Sequence, residues 1–141
     1  MIFGYTTGVY DMFHIGHLRL LERAKAECDQ LIVGITTDEL AVEAKGKAPI
    51  VPFDERRQIV SALRCVDLTV PQTSMDKRRA WESLRFDRMF VGDDWRGTER
   101  WNALEREFAE IGVEIVYFPY TDTTSSTRLR DAIEMIHGEH G

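Results

Sequence analysis

Five apolar runs punctuate the chain: IFGYTT at 2–7, QLIVGITT at 30–37, VDLTVP at 66–71, RMFVGDD at 88–94 and VEIVYFPY at 113–120. They are rich in β-branched and aromatic residues, and the most apolar of them lack a clean period of two. That pattern suits strands covered on both faces. Between them the period lengthens. Residues 17–28 set Leu18, Leu21 and Ala24 at helical spacing with charges between, and 99–110 do the same with Trp101, Leu104 and Phe108. Residues 54–65 follow Pro52 and open on Asp54 and Glu55, acids that suit the positive end of a helix. Residues 125–136 begin with hydroxyls fit for an N-cap.

Strands alternating with helices predict a parallel sheet with right-handed crossovers. No repeat, low-complexity tract or linker interrupts the pattern. The expectation is therefore one doubly wound, Rossmann-like α/β domain over residues 1–141, with about five strands flanked by helices. In such sheets ligands sit beyond the carboxyl ends of the strands, where the strand order reverses. The loops that follow the strands are thus the places to search for chemistry.

Composition narrows the classes. With 43% apolar and 30% charged residues the chain suits a globular domain, and a net charge of −6 argues against a broad nucleic-acid or anionic-membrane surface. A local basic pocket for phosphates stays compatible with that total. Cys28 and Cys65 form no C-x-x-C pair, so neither a metal site nor a disulfide framework is expected, and a reducing compartment is the simpler setting. The start, MIFGYTTGVYD, lacks a basic segment and a long apolar stretch, so no secretory signal is expected. No run approaches the roughly 18 apolar residues of a membrane span. A cytoplasmic protein is the expectation.

The densest chemistry lies at 8–17, GVYDMFHIGH, between the first predicted strand and the first predicted helix. Gly8 would let backbone approach a ligand, and Gly16 would clear the helix start of side-chain bulk. The first turn of that helix offers unpaired N–H groups and a positive dipole end, a natural seat for phosphate. The dipole should keep His14 and His17 neutral while the site is empty, and a bound polyphosphate would draw them toward protonation. Both rings could then donate to a phosphate whose charge rises during reaction. The same spacing also fits one ring capping the helix and the other packing, and the residues alone leave these two readings open. A zinc pair is disfavoured, because no third ligand stands at a recognisable distance.

GVYDMFHIGH together with LLERAKAECDQLIVGITTDEL, KGKAPIVPFDERRQIVSALRCVD and VGDDW resembles, in order and over nearly the whole chain, the cytidylyltransferases of the H-x-G-H nucleotidyltransferase superfamily. Its glycerol-3-phosphate cytidylyltransferase branch is the nearest match. The resemblance implies that the two histidines of this HIGH motif contact a nucleoside triphosphate and stabilise the transition state at its α-phosphate. Gly8, Val9, Tyr10, Ile15 and Gly16 would line that loop and Asp11 would orient it. A phosphate oxygen of a second substrate would attack in line and pyrophosphate would leave, with no covalent intermediate. Catalysis would be positioning and charge stabilisation, with Mg2+ held chiefly by the triphosphate.

The remaining site residues follow from the same resemblance. Lys45 matches a lysine that bridges phosphates of the two substrates, while Lys47 is left unassigned and a solvated loop is the ordinary fate of both. Arg64, expected at the close of the 54–65 helix, would join the nucleotide site, although an arginine there also suits a helix C-terminus. Arg78 matches a lysine that contacts substrate phosphate, against the alternative of a surface charge run. In VGDDW, Asp93 would belong to the nucleotide site, and Asp94 and Trp95 to the acceptor. The structural alternative makes Asp94 an N-cap and Trp95 a packing residue. Carboxylates suit hydroxyls or a cation, so a small polyol phosphate is favoured, with a choline- or ethanolamine-type head group as the alternative. YTDTTSSTRLR aligns with a family motif R-T-E-G-I-S-T-T, so Thr121, Ser125, Ser126 and Thr127 would meet phosphates at a helix start. Tyr120 stands where the family has arginine, and Thr123–Thr124 replace Gly-Ile, which leaves Arg128 or another cation to supply that charge. The implied reaction joins CTP and glycerol 3-phosphate into CDP-glycerol, a precursor type for wall teichoic acid or capsule. ATP or another small phosphate is the variant, and a homodimer the expected assembly.

Overall fold

The computed structural model describes residues 1–119 and 132–135. Its elements in chain order are β1 (Phe3–Gly8), α1 (Ile15–Ala26), β2 (Gln30–Thr36), α2 (Asp38–Lys45), α3 (Phe53–Ser61), β3 (Leu68–Gln72), α4 (Lys77–Leu84), β4 (Arg88–Gly92), a 3-10 turn (Asp93–Trp95), α5 (Glu99–Glu110) and β5 (Glu114–Phe118). All five strands are parallel, in the order β3-β2-β1-β4-β5. The chain first steps outward from β1 to β2 to β3, then returns to lay β4 on the other flank of β1. The reversal therefore falls between β1 and β4, and the loops after those two strands open into one crevice.

The apolar runs are strands for the reason their pattern suggested. In β2, Leu31, Ile32, Val33 and Ile35 are all buried, with alternate side chains serving opposite faces. One face carries α1 and α3, whose Leu21, Ala24 and Val60 pack with Leu31, Val33, Ile35, Phe90 and Phe118. The other carries α4 and α5, where Tyr5, Ile32, Phe86, Met89, Phe108 and Val113 form a second cluster, flanked by Trp81, Leu84, Trp101 and Leu104. At roughly 1.5–3 kcal/mol per fully buried large apolar side chain, these two layers dominate the stability of the sheet.

Several boundaries differ from the expectation. α5 coincides with 99–110. α1 starts two residues earlier than 17, which makes His14 its N-cap and puts His17 in its first turn. α3 stops at Ser61, so Arg64 sits in a turn and not on a helix. α2 and α4 have no counterpart in the sequence reading; each is eight residues long and buries few or no side chains. Of the 125–136 helix, only 132–135 fall among the described residues, and they are helical and exposed.

Candidate active site

His14 is the N-cap of α1, with extended backbone (φ −140°, ψ 179°), and its Nδ1 accepts the N–H of Gly16 at 3.1 Å. His17 reciprocates: its Nδ1 accepts the N–H of His14 at 3.3 Å. The rings stack with centroids 4.0 Å apart and planes 29° from parallel. Both rings thus serve as caps, where the sequence reading had weighed a cap and a packed ring. Because each Nδ1 is an acceptor, the neutral rings carry their protons on Nε2, a tautomer assigned from these bonds. Burial, then the neighbouring His14 ring, holds the His17 pKa down at about 4, against a smaller opposing pull from Asp11. Burial also lowers that of His14. Neutrality was expected from the helix dipole, but desolvation is its main cause here.

The loop between β1 and α1 is strained. Tyr10 and Met12 hold left-handed backbone (φ 54° and 48°), a cost of about 1–3 kcal/mol each that burial of the Tyr10 ring helps to offset. That ring is 4% exposed and belongs to the core. It also changes the reading of Gly8. A Cβ there would lie 2.8 Å from Tyr10 Cζ, so the absence of a side chain at Gly8 makes room for the tyrosine ring. Tyr10 accordingly contributes to the loop through packing: its ring meets His17 edge-on at 5.4 Å.

Two side chains brace this loop from afar. The buried Asp11 carboxylate accepts the N–H groups of Ile50 and Val51 at 2.8 and 2.9 Å. Arg56, 1% exposed on α3, donates to Val51 O (2.8 Å), Val9 O (2.6 Å), Thr36 O (2.8 Å) and Asp38 Oδ1 (2.7 Å). One guanidinium thereby ties the ends of β1 and β2 to the segment that follows Lys45 and Lys47. The sequence reading passed over Arg56 and Asp38. The signal was there: with Phe53 and Val60, Arg56 occupies the inward face of α3, an unusual place for a charge.

The other expected residues scatter more widely. Ile15 and Gly16 open α1, Ile15 being exposed. Lys45 ends α2 and Lys47 follows the left-handed Gly46; both are exposed, and no hydrogen bond or ion pair ties either to the histidines. Arg64 lines a cleft with Leu18, Glu22, Lys25 and Cys65 on the flank of α1. Arg78 pairs loosely with Glu107 (3.4 Å) and lies over Trp81 (5.2 Å), with its Nε buried and unpartnered among the described residues. Asp93, Asp94 and Trp95 form the 3-10 turn at the tip of β4, across the crevice from the histidine loop. Neither structural alternative applies there: Gly92 is the N-cap without a side-chain bond, and Trp95 is 59% exposed. Lys77, not singled out from sequence, has its pKa lowered by burial and then by Arg100, against Asp76. Tyr120, Thr121, Thr123, Thr124, Ser125, Ser126, Thr127 and Arg128 lie outside the described residues.

Among the described residues no group of three His, Cys, Asp or Glu side chains converges as a metal cage, and no helix is long and apolar enough to cross a membrane. What this edge of the sheet offers is a pair of oriented imidazoles and open helix N–H groups beyond β1, with an acidic, aromatic turn at the tip of the neighbouring β4. Such an array suits charge stabilisation on a phosphate.

Comparison with known proteins agrees with this fold. The family model described as cytidylyltransferase-like matches residues 5–132. The chain is 33% identical over 129 residues to the glycerol-3-phosphate cytidylyltransferase of Bacillus subtilis, covering 91% of this chain and 94% of that protein. It is 31% identical over 129 residues to the protein of the same name from Staphylococcus aureus, covering 91% and 92%. Among solved structures, it resembles the lipopolysaccharide core biosynthesis protein from Thermoplasma volcanium with a TM-score of 0.72 and 26% identity, over 88% of this chain and 99% of that one.

Proposed function

The chain belongs to the cytidylyltransferase-like family, and on that premise we propose that it joins CTP to glycerol 3-phosphate, giving CDP-glycerol and pyrophosphate. The observation that carries the proposal is the reciprocal cap of His14 and His17 at the switch point, which aims two Nε2–H groups with fixed tautomers. A phosphate oxygen of the acceptor attacks the α-phosphorus in line. The bond from that phosphorus to the bridging oxygen breaks, and its electron pair leaves with pyrophosphate. As charge builds on the α-phosphate oxygens, the imidazoles donate to them and take on positive character. The Gly16 amide is already spent on His14, which leaves the N–H groups of the first turn beyond it for the phosphates.

Lys45, exposed at the end of α2, would reach between the phosphates of the two substrates, and Asp94 and Trp95 would meet the acceptor's hydroxyls and carbon skeleton. Magnesium would be held chiefly by the triphosphate, where it would neutralise charge. Other small phosphates and ATP remain the competing substrates. A homodimer in the cytoplasm, feeding a CDP-polyol into a wall or capsule polymer, is the setting that this reading proposes.

Pyrophosphate release measured over a panel of nucleoside triphosphates and phosphate acceptors tests the reaction. CTP with glycerol 3-phosphate should lead the panel. His14→Ala and His17→Ala should each lower kcat by about 10²–10³-fold, in proteins whose circular dichroism is unchanged. Turnover that survives both replacements would remove the histidines from the chemistry.

A further inference from the structure

His17 lies among three other rings, and one of them belongs to a residue that the sequence reading left unassigned. The Phe13 ring centroid is 5.2 Å from that of His17, with the planes 36° apart. Tyr10 stands at 5.4 Å and 72°, and His14 stacks at 4.0 Å. Phe13 directly precedes the N-cap of α1, a position where an apolar side chain ordinarily fixes how the chain enters a helix. Half-buried, it does lean on the core cluster that holds Tyr10 and Leu21. Its contact with an imidazole at the switch point gives it a second use.

What that use is depends on charge. At rest His17 is neutral, and burial holds it so. In the transfer step it donates to the α-phosphate oxygens and takes on positive character. Charge forming on a ring withdrawn from water needs compensation close by. Asp11 attracts it and a charged His14 would oppose it, while the buried Tyr10 phenol stays neutral, its pKa pushed up by desolvation. Asp11, however, already shares its carboxylate between the Ile50 and Val51 amides.

An aromatic face is electron-rich, and a cation within about 6 Å of its centroid is attracted to it. Tyr10 meets His17 edge-on, whereas Phe13 lies closer to parallel and so presents more of its face. Phe13 also carries no proton to lose, so its attraction is the same at every pH. We propose that Phe13 is a positioning residue whose ring face steadies the positive charge His17 gains in the transition state, an assignment that rests on the transfer reaction proposed above.

The test compares the wild type with Phe13→Leu, Phe13→Tyr and proteins carrying mono-, di- or trifluorophenylalanine at position 13. Fluorine draws electron density from the ring face and barely changes its size, so the fluorinated series keeps the packing. Two quantities are read: the protonated fraction of His17 at pH 5, from nitrogen-15 shifts of the free protein, and kcat for pyrophosphate release. Phe13→Leu should lower the protonated fraction about three- to fivefold and kcat about three- to thirtyfold, with KM for CTP within about twofold of the wild type. Each added fluorine should lower both further, and Phe13→Tyr should keep both near the wild-type values. A ring that only shields His17 from water predicts the opposite sign, because the smaller leucine admits water and favours the charged form. A protonated fraction that rises or stays constant in Phe13→Leu, or a fluorinated series that leaves both quantities unmoved, overturns the assignment. If the wild type releases no pyrophosphate with any acceptor, the transfer reaction itself fails. The protonated fraction then decides alone: a stepwise fall with fluorination sustains the ring–imidazolium contact, and no fall overturns it.

Discussion

His17 is a base that its surroundings keep from charging, and this has a measurable sign. In the unfolded chain it takes a proton near pH 6.5, but in the fold only near pH 4. Between those values the unfolded state holds more protons, so stability should fall as pH drops from about 6.5 to 4. Denaturant midpoints at pH 7 and pH 5 should differ more in the wild type than in His17→Gln. Nitrogen-15 spectra should show both rings protonated on Nε2, and a bound triphosphate should move the titration upward. The pair was legible as a motif because its spacing is local. Its tautomer was not, because that depends on which backbone N–H each ring caps. Gly8 carries the opposite lesson: it reads as a ligand-facing glycine, but its missing side chain makes space for a ring two residues on. Gly8→Ala should destabilise the fold by about 1–3 kcal/mol, as overpacking does, and should depress activity with it.

At the level of elements, sequence reading succeeded where apolar residues are dense and failed where they are sparse. The five strands and α5 announce themselves. α2 and α4 do not, since α2 buries only Leu40 and Ala41 and α4 buries no residue fully. Caps hold them instead: Thr37 accepts from Leu40, and Asp76 from Arg79. α3 shows the reverse case, in which a charged residue does the work of a core residue. Arg56→Met would orphan three backbone carbonyls and Asp38 and should cost about 3–5 kcal/mol. Arg56→Lys should recover part of that, because an ammonium cannot span all four acceptors. Chemical denaturation measures both, and a loss below 1 kcal/mol for the methionine variant would show the brace to be idle.

For the whole molecule, the strand order gathers the site. Residues near 14 and near 94 follow neighbouring strands at one edge of the sheet because β4 returns beside β1, a long-range fact that periodicity cannot supply. Nucleotide binding should therefore stabilise the entire sheet and not one loop. Magnesium CTP at 100 times its Kd adds about 2.7 kcal/mol, and at roughly 2–4 °C per kcal/mol the Tm should rise roughly 5–10 °C. Scanning calorimetry with CTP and with ATP would read the donor preference from the same experiment. The bonds from Asp11 and Arg56 set a limit on portability. A decapeptide bearing the two histidines, or an amino-terminal fragment ending before residue 50, would arrive without its scaffolding and should bind no nucleotide. Transplanting the motif into another framework would succeed only if a distant arginine and two distant amides travelled with it.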